Sequence, residues 1–218
     1  LEPQMVWLIE RREQFHRNMK DYKNAMSMAS RLSKISGYQA AGFTKMAEIA
    51  KLQGDESSAA NFYRQSLKYK EDVKTRLALA DQLSDSDKDP SKDLLAALAK
   101  APNKATKSKI LTQLGKLSCN SNQIDQGLRY LKQAVKETPN HAVAFYERGL
   151  CERKAGNAKG SASAFASALK YDPNNHQIWM QYAFSLEADG KSKPALSALQ
   201  QALKIKVNDG THLAMAQM

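Results

Sequence analysis

Residues 142–175 read AVAFYERGLCERKAGNAKGSASAFASALKYDPNN, and this stretch decides the fold of the 218-residue chain. Gly156 stands where a first helix ends, because the left-handed residue that follows many helices is most easily glycine. Pro173 cannot continue a second helix, and with Asn174 it marks a turn into the next segment. The stretch therefore predicts a pair of helices between residues 142 and 172.

The same pattern recurs outward from this stretch with a period of 34 residues. Large apolar residues stand at Leu111, Phe145 and Trp179, and Leu213 continues the series. Three columns of small residues keep the same interval: Gly115, Gly149 and Ala183; Gly127, Ser161 and Ala195; Ala134, Ala168 and Ala202. Several independent columns with one period indicate a repeat protein.

These residues resemble the tetratricopeptide repeat, a family with 34 residues and two antiparallel helices, A and B, in each unit. The resemblance implies an all-α fold, a right-handed α-solenoid of about six repeats that form a single domain over residues 1–218. Small residues then lie where helices A and B cross, and larger ones fill the space beside them. The predicted repeats are 6–39, 40–73, 74–107, 108–141, 142–175 and 176–209, and 211–218 begins a capping or further helix.

The third repeat fits worst. We expect its helices at about 73–83 and 91–100, with Asp89 as the N-cap and Pro90 as the first residue of the second helix. Pro102 closes this repeat early, so that a division of 31 and 37 residues fits the third and fourth repeats best. Asp85, Asp87 and Asp89 have the spacing that opens an EF-hand calcium loop, but Pro90 stands where the loop needs glycine, and we interpret them as a polar turn.

Composition limits the class of protein. Apolar residues make up 42% of the chain, enough for a sizeable core, and no apolar run approaches the ~20 residues that cross a bilayer. We therefore expect no membrane insertion. The chain begins at Leu1, which we interpret as a truncated N-terminus, and the compartment stays open between the cytoplasm and a bacterial periplasm.

Cysteine and histidine give no sign of chemistry. Cys119 and Cys151 are too few for a disulfide framework and lie in no zinc motif, so we interpret them as small buried hydrophobic residues. His141 and His176 follow proline and asparagine and are expected in turns. With no phosphate loop, nucleophile motif or metal-ligand pair, the sequence predicts no enzyme, no cofactor and no metal site.

The resemblance also implies a binding surface, because helices A of such solenoids line a concave groove. The candidate partner-binding residues on these helices are Lys109, Thr112, Lys116, Tyr146, Arg153, Lys154, Met180 and Phe184. Tyr146, Met180 and Phe184 fit either a peptide anchor or packing against a terminal helix. The lysine and asparagine that chaperone-binding members use at positions 5 and 9 are missing here, so a chaperone-tail clamp is not expected.

The net charge of +11 favours an anionic partner. We expect an acidic or mixed acidic-apolar peptide or helix of a partner protein, although basic clusters are most often solvated helix faces. The leading hypothesis is a non-catalytic protein-binding scaffold in a larger assembly of bacterial secretion, pilus or motility type. A nucleic-acid-binding helical repeat is the alternative, which the lack of stacking aromatic residues among the lysines disfavours. A non-catalytic domain attached to an enzyme is the third reading.

Overall fold

A computed structural model describes residues 3–85, 89–206, 211 and 215, and the described part of the chain contains helices and no strand. This confirms the all-α class that the period predicts. The twelve helices in the described ranges are α1 (Pro3–Asn18), α2 (Tyr22–Ser33), α3 (Gln39–Leu52), α4 (Glu56–Tyr69), α5 (Val73–Asp85), α6 (Ser91–Ala99), α7 (Lys104–Asn120), α8 (Ile124–Glu137), α9 (Ala142–Lys154), α10 (Ala158–Leu169), α11 (His176–Ala188) and α12 (Ser192–Ile205).

The chain divides into two compact units, Leu1–Lys100 and Ala101–Met218. Within each unit every helix packs against the next one along the chain. The first unit buries one apolar cluster between α1 and α2, with Leu32 inside it, and another where Tyr63 of α4 meets α5. The second unit buries Leu131 of α8, Phe165 of α10 and Leu199 of α12 in successive clusters. Each unit therefore has its own core.

The predicted small residues lie where paired helices cross. A Cβ atom added at Gly149 of α9 would come within 2.6 to 2.8 Å of the Phe165 ring of α10. At Gly115 of α7 it would approach the Leu131 side chain of α8 to 2.5 Å. Both distances are shorter than carbon atoms tolerate, so that only glycine permits these crossings.

A left-handed residue and a capping side chain form the turn between the two helices of a repeat. Gly54, Gly156 and Gly190 have φ angles of 76°, 75° and 75°, and Asn122 has 64°. Lys20, which the sequence did not single out, takes the same conformation at 57°. The next residue is the N-cap of the second helix: Asp21, Asp55 and Asn157 each accept a hydrogen bond from a backbone N–H three residues later.

The third repeat follows the division that Pro102 suggested. Its second helix, α6, has only nine residues, and α7 begins already at Lys104. The predicted cap is wrong by one residue: Pro90 holds the N-cap position, α6 begins at Ser91, and Asp89 accepts a hydrogen bond from the Ser91 N–H at 2.9 Å. Asp87 of the calcium-like spacing lies outside the described residues.

Cys119 and Cys151 are buried, as expected, but they are joined in a disulfide, so the interpretation as merely small hydrophobic residues is wrong. The bond links the end of α7 to α9, the first helix of the following repeat. The thiols meet because equivalent helices of adjacent repeats lie side by side, with Cα atoms 5.7 Å apart here, within the range that a disulfide spans. Counting cysteines without placing them in the repeat missed this geometry.

The expected helix over 211–218 lies largely outside the described residues. Two of its residues are described: Thr211 is buried, with its hydroxyl 3.1 Å from His176 Nε2, and Met215 packs against the cluster around Leu199. Of the described helices, none combines the length and apolar character that crossing a bilayer requires.

Candidate functional site

The first helices of repeats four to six, α7, α9 and α11, line a pocket of about 270 Å³ in the second unit. Its lining residues are Lys116, Cys119, Asn120, Tyr146, Glu147, Leu150, Cys151, Lys154 and Gln177. The disulfide closes part of its wall, and Tyr146 and Leu150 supply apolar surface. Three of the eight candidate residues, Lys116, Tyr146 and Lys154, therefore share one concave site.

Lys116 and Glu147 form the charged pair of this pocket. The Lys116 ammonium lies 3.5 Å from Glu147 Oε1, and the lysine side chain is 58% exposed while that of Glu147 is only 11% exposed. Burial raises the pKa of Glu147, and the neighbouring Lys116 offsets part of the rise. Lys116 thus pairs with the largely buried carboxylate of Glu147, while much of the lysine side chain stays exposed to solvent.

Lys154 and Arg153 both make contacts within the unit. The Lys154 ammonium donates to the backbone carbonyls of Cys119 and Asn120, at 2.8 and 3.1 Å. A cation at this place is favourable because the last carbonyls of α7 lack helical partners and carry partial negative charge. Arg153 donates to the Gln181 side-chain oxygen of α11. Both cations are exposed, but each also ties α9 to a neighbouring helix.

The aromatic and apolar candidates differ in exposure. Tyr146 is half-buried, its ring 5.6 Å from that of Phe165, and burial raises its pKa. Met180 is half-buried in the cluster of α11 and α12, and its sulfur accepts a hydrogen bond from Thr211. Phe184 is 38% exposed on α11. Met180 thus packs against the terminal segment, as one of the two interpretations expected, whereas Phe184 stays partly accessible to solvent.

Two candidates of α7 lie outside the pocket. Thr112 is buried and donates to the Ser108 carbonyl of its own helix, so its expected place on the binding surface is wrong. Ser and Thr hydroxyls often satisfy themselves in this way inside helices. Lys109 is exposed, and its charge, second to burial, lowers the pKa of the nearby His141.

No group of three or more potential metal-ligating side chains was found among the described residues. His141 holds the N-cap position of α9 and lies 2.8 Å from the Ser108 hydroxyl, in the turn where the sequence placed it, whereas His176 is the first residue of α11.

Comparison with known families bears directly on this region. The profile of a family described as tetratricopeptide repeat matches residues 113–176, from the middle of α7 to the first residue of α11. Over these residues the chain is similar to tetratricopeptide repeats. The matched segment contains nearly all of the pocket's lining residues.

Solved structures show the same fold over most of the chain. A tetratricopeptide repeat protein from Parabacteroides merdae matches with a TM-score of 0.77 and 14% identity, covering 95% of this chain and 82% of that chain. YrrB, described as a tetratricopeptide-repeat protein with an unusual peptide-binding site, matches with a TM-score of 0.63 and 18% identity, over 82% of this chain and 92% of its own. MamA from Desulfovibrio magneticus matches with a TM-score of 0.67 and 16% identity, over 79% of this chain and 97% of its own. No curated protein matches the chain.

The tetratricopeptide-repeat frame explains which pocket residues sequence reasoning missed. Glu147 is one position beyond the groove position of Tyr146, and only the side-by-side placement of α7 and α9 brings it to Lys116. Asn120, Leu150 and Gln177 lie on the first helices of their repeats, as the eight candidate residues do, and all three line the pocket. The repeat frame therefore places most of these residues on the helices that line the groove, whereas the contacts between them are visible only in the structure.

Proposed function

We propose that the protein is a non-catalytic scaffold whose second unit holds a segment of a partner protein in the groove formed by α7, α9 and α11. The observation that carries this proposal is the pocket itself, where the apolar surface of Tyr146 and Leu150 lies beside the exposed ammonium of Lys116. Such a site suits an extended or helical segment with an apolar anchor. The peptide-binding site named for YrrB, a protein of the same fold, supports the comparison.

The charge of the second unit favours an acidic or mixed acidic-apolar partner. Residues 101–218 contain 16 Lys and Arg against eight Asp and Glu, so that most of the net charge of the chain lies here. Lys109, Lys116 and Arg153 are the exposed cations on helices α7 and α9 that we assign to the partner. Lys154, which holds the end of α7, is assigned a positioning role instead.

The affinity should come mainly from the apolar anchor, because exposed ion pairs contribute only ~0.2 to 1 kcal/mol each. Charges at a groove edge chiefly raise the association rate and fix orientation. We therefore expect salt to weaken binding moderately and to slow association.

The disulfide favours one of the two compartments left open above. Bonds of this kind persist in oxidising compartments and are rare in the cytosol. We propose that the scaffold works outside the cytosol, such as in a bacterial periplasm, within an assembly of secretion, pilus or motility type.

The test begins with partner identification by placing a photo-crosslinking amino acid at Tyr146, followed by titration calorimetry on the purified pair. Lys116→Glu and Arg153→Glu should each weaken binding by about fivefold, in line with ~1 kcal/mol for one exposed charge pair. Lys170→Glu is the matched control, because Lys170 is an exposed cation at the end of α10. Unchanged affinity of both charge-reversal variants for the partner would refute the groove proposal. A gel shift with RNA or DNA that these variants no longer show would favour the nucleic-acid alternative.

A further inference from the structure

The outer face of α1, in the first unit, exposes an apolar stripe, two positions of which are buried in later repeats. Met5, Leu8, Phe15 and Met19 lie at intervals of three, seven and four and so share one face of the helix. Their exposed fractions are 46%, 48%, 61% and 67%. Four large apolar side chains on one exposed helical face form the kind of patch that marks an interaction site. We call these four residues the α1 face.

The repeat frame shows what covers this face elsewhere. Leu8 and Phe15 stand at positions 3 and 10 of their repeat, and the same positions on α3 are Gly42 and Ile49. Ile49 is fully buried against Ala25 and Ala29 of α2, and a Cβ atom on Gly42 would come within 2.2 Å of the Ser33 backbone. The second helix of the preceding repeat thus occupies this place on α3.

The two later junctions inside the second unit repeat the arrangement. On α9, Cys151 holds position 10 and is buried with Leu131 of α8. On α11, Ile178 holds position 3 and is buried with Phe165 and Ala168 of α10, while Ser185 at position 10 bonds to Ser161 of that helix. At these three junctions, onto α3, α9 and α11, a helix of the preceding repeat packs against position 10. Leu8 and Phe15 are the large apolar exceptions that stand exposed.

The charges around the α1 face specify the chemistry of an occupant. Residues 3–38 contain seven Lys and Arg against three acids. Glu13 is buried between Arg17 and Lys45, and Asp21 caps α2, so two of these acids are engaged within the fold. Arg12 lies within the stripe and Arg11 lies beside it, over the exposed ring of Trp7 at 5.1 Å. A second copy of this basic face would be repelled, whereas an acidic helix would be attracted.

We propose that the α1 face binds an amphipathic helix of an acidic partner protein, which packs where the second helix of a preceding repeat lies at the other junctions. The apolar stripe of the partner helix covers Leu8 and Phe15, and acidic residues along its border meet Arg11 and Arg12. This site lies in the first unit and is independent of the groove proposed above.

The test uses the whole chain and a labelled synthetic helix as probe. The probe has about 20 residues, with leucine at two positions of each heptad and glutamate on both sides of this stripe. Two matched probes carry lysine in place of glutamate, or the same residues in an order that destroys the apolar face. Fluorescence anisotropy should show that the glutamate probe binds at least tenfold more tightly than either matched probe.

Variants then locate the binding. Phe15→Ser and Leu8→Ser should each weaken binding of the glutamate probe at least tenfold. Circular dichroism should stay unchanged, because both side chains are exposed. Leu95→Ser, which alters an exposed leucine of α6 in the same unit, is the control and should leave binding unchanged. Arg11→Glu with Arg12→Glu should reverse the preference toward the lysine probe.

Three results would overturn the proposal. One is equal affinity of the chain for the glutamate and lysine probes. Another is equal affinity of the Phe15→Ser and Leu95→Ser variants for the glutamate probe. The third is a concentration-dependent dimer in sedimentation velocity that Phe15→Ser abolishes, because the occupant would then be a second copy of the chain. Lys116→Glu should not affect the probe, so that failure of this proposal and failure of the groove proposal are distinguishable.

Discussion

Gly149 is the residue whose side chain, a single hydrogen, allows α9 and α10 to cross closely. A Cβ atom there would already overlap the Phe165 ring. Gly149→Leu should therefore destabilise the second unit by roughly 1 to 3 kcal/mol or more, because an overfilled core forces side chains and backbone to shift. Thermal unfolding followed by circular dichroism measures the effect. Ser163→Leu, at an exposed position of α10, is the control, and an equal melting temperature for both variants would contradict the crossing geometry.

Glu147 makes the stability of the second unit depend on pH. Burial raises its pKa above the ordinary 4.5, so the folded state holds this proton more tightly than the unfolded chain does. The stabilising contribution is complete below pH 4.5 and is lost as pH rises through the folded-state pKa. The free energy of unfolding of the wild type, relative to Glu147→Gln, should therefore fall as pH rises above 4.5, which urea unfolding at several pH values measures.

Glu137 supplies a control of opposite sign for this measurement. A hydrogen bond from Lys107 lowers its pKa, so its contribution is present at neutral pH and is lost as pH falls. The wild type relative to Glu137→Gln should therefore lose stability as pH decreases. Lys116→Gln should steepen the Glu147 effect, because removing the ammonium raises that pKa further. The same slope for both glutamate variants would refute these assignments.

Sequence reasoning identified residues whose role is set by backbone geometry and missed those whose role is set by contact. The place of Gly156 after the end of α9 was predicted because few residue types tolerate a positive φ. The burial of Thr112 and the partner of Cys119 depend on which helix lies alongside α7, and a single sequence does not specify that. The same holds for Glu147, whose neighbour Lys116 is 31 residues away.

At the scale of helices, the turn that follows α1 differs from the equivalent turns by one strained residue. Lys20 adopts a φ of 57° where three other turns use glycine. A residue with a Cβ atom pays roughly 1 to 2 kcal/mol for this conformation. Lys20→Gly should therefore raise the free energy of unfolding of the first unit by up to ~1 kcal/mol, after the greater entropy of glycine in the unfolded chain is subtracted.

Urea unfolding of the Lys20→Gly variant checks this expectation. Ser27→Gly is the matched control, since Ser27 is an exposed residue in the middle of α2, where glycine is less favourable by roughly 0.5 kcal/mol. The two glycine variants should therefore shift stability in opposite directions. A loss of stability in both would show that the left-handed turn imposes no strain at Lys20.

Helix lengths were predictable wherever the chain keeps its turn residues. In the last two repeats, α9 and α11 end two residues before Gly156 and Gly190. The third repeat has neither signal, because Asp85 is followed by a run of acids and lysines without glycine. There the predicted range of α6, 91–100, is one residue too long at its C-terminal end, and α7 begins four residues before the repeat frame does.

At the scale of the whole molecule, the division into two units has an energetic consequence. Repeat proteins gain stability from each repeat and from its contacts with neighbours, so that an added link acts locally. The disulfide joins α7 to α9 and lies wholly in the second unit. The disulfide constrains the unfolded chain over a separation of 32 residues. The expected stabilisation of the folded state is about 3 to 4 kcal/mol. Reduction should remove this stabilisation from the second unit alone.

The two tryptophans allow this to be measured, because Trp7 lies in the first unit and Trp179 in the second. Trp179 is half-buried and donates to the Pro173 carbonyl, so its fluorescence reports unfolding around α11. In a Trp7→Phe variant, dithiothreitol should shift the urea midpoint to a lower concentration, whereas in a Trp179→Phe variant the Trp7 transition should stay in place. Cys119→Ala with Cys151→Ala is the control, and its midpoint should not respond to the reductant. If both tryptophans report the same shift, the units unfold together, and the stabilisation spreads beyond the repeats that the bond connects.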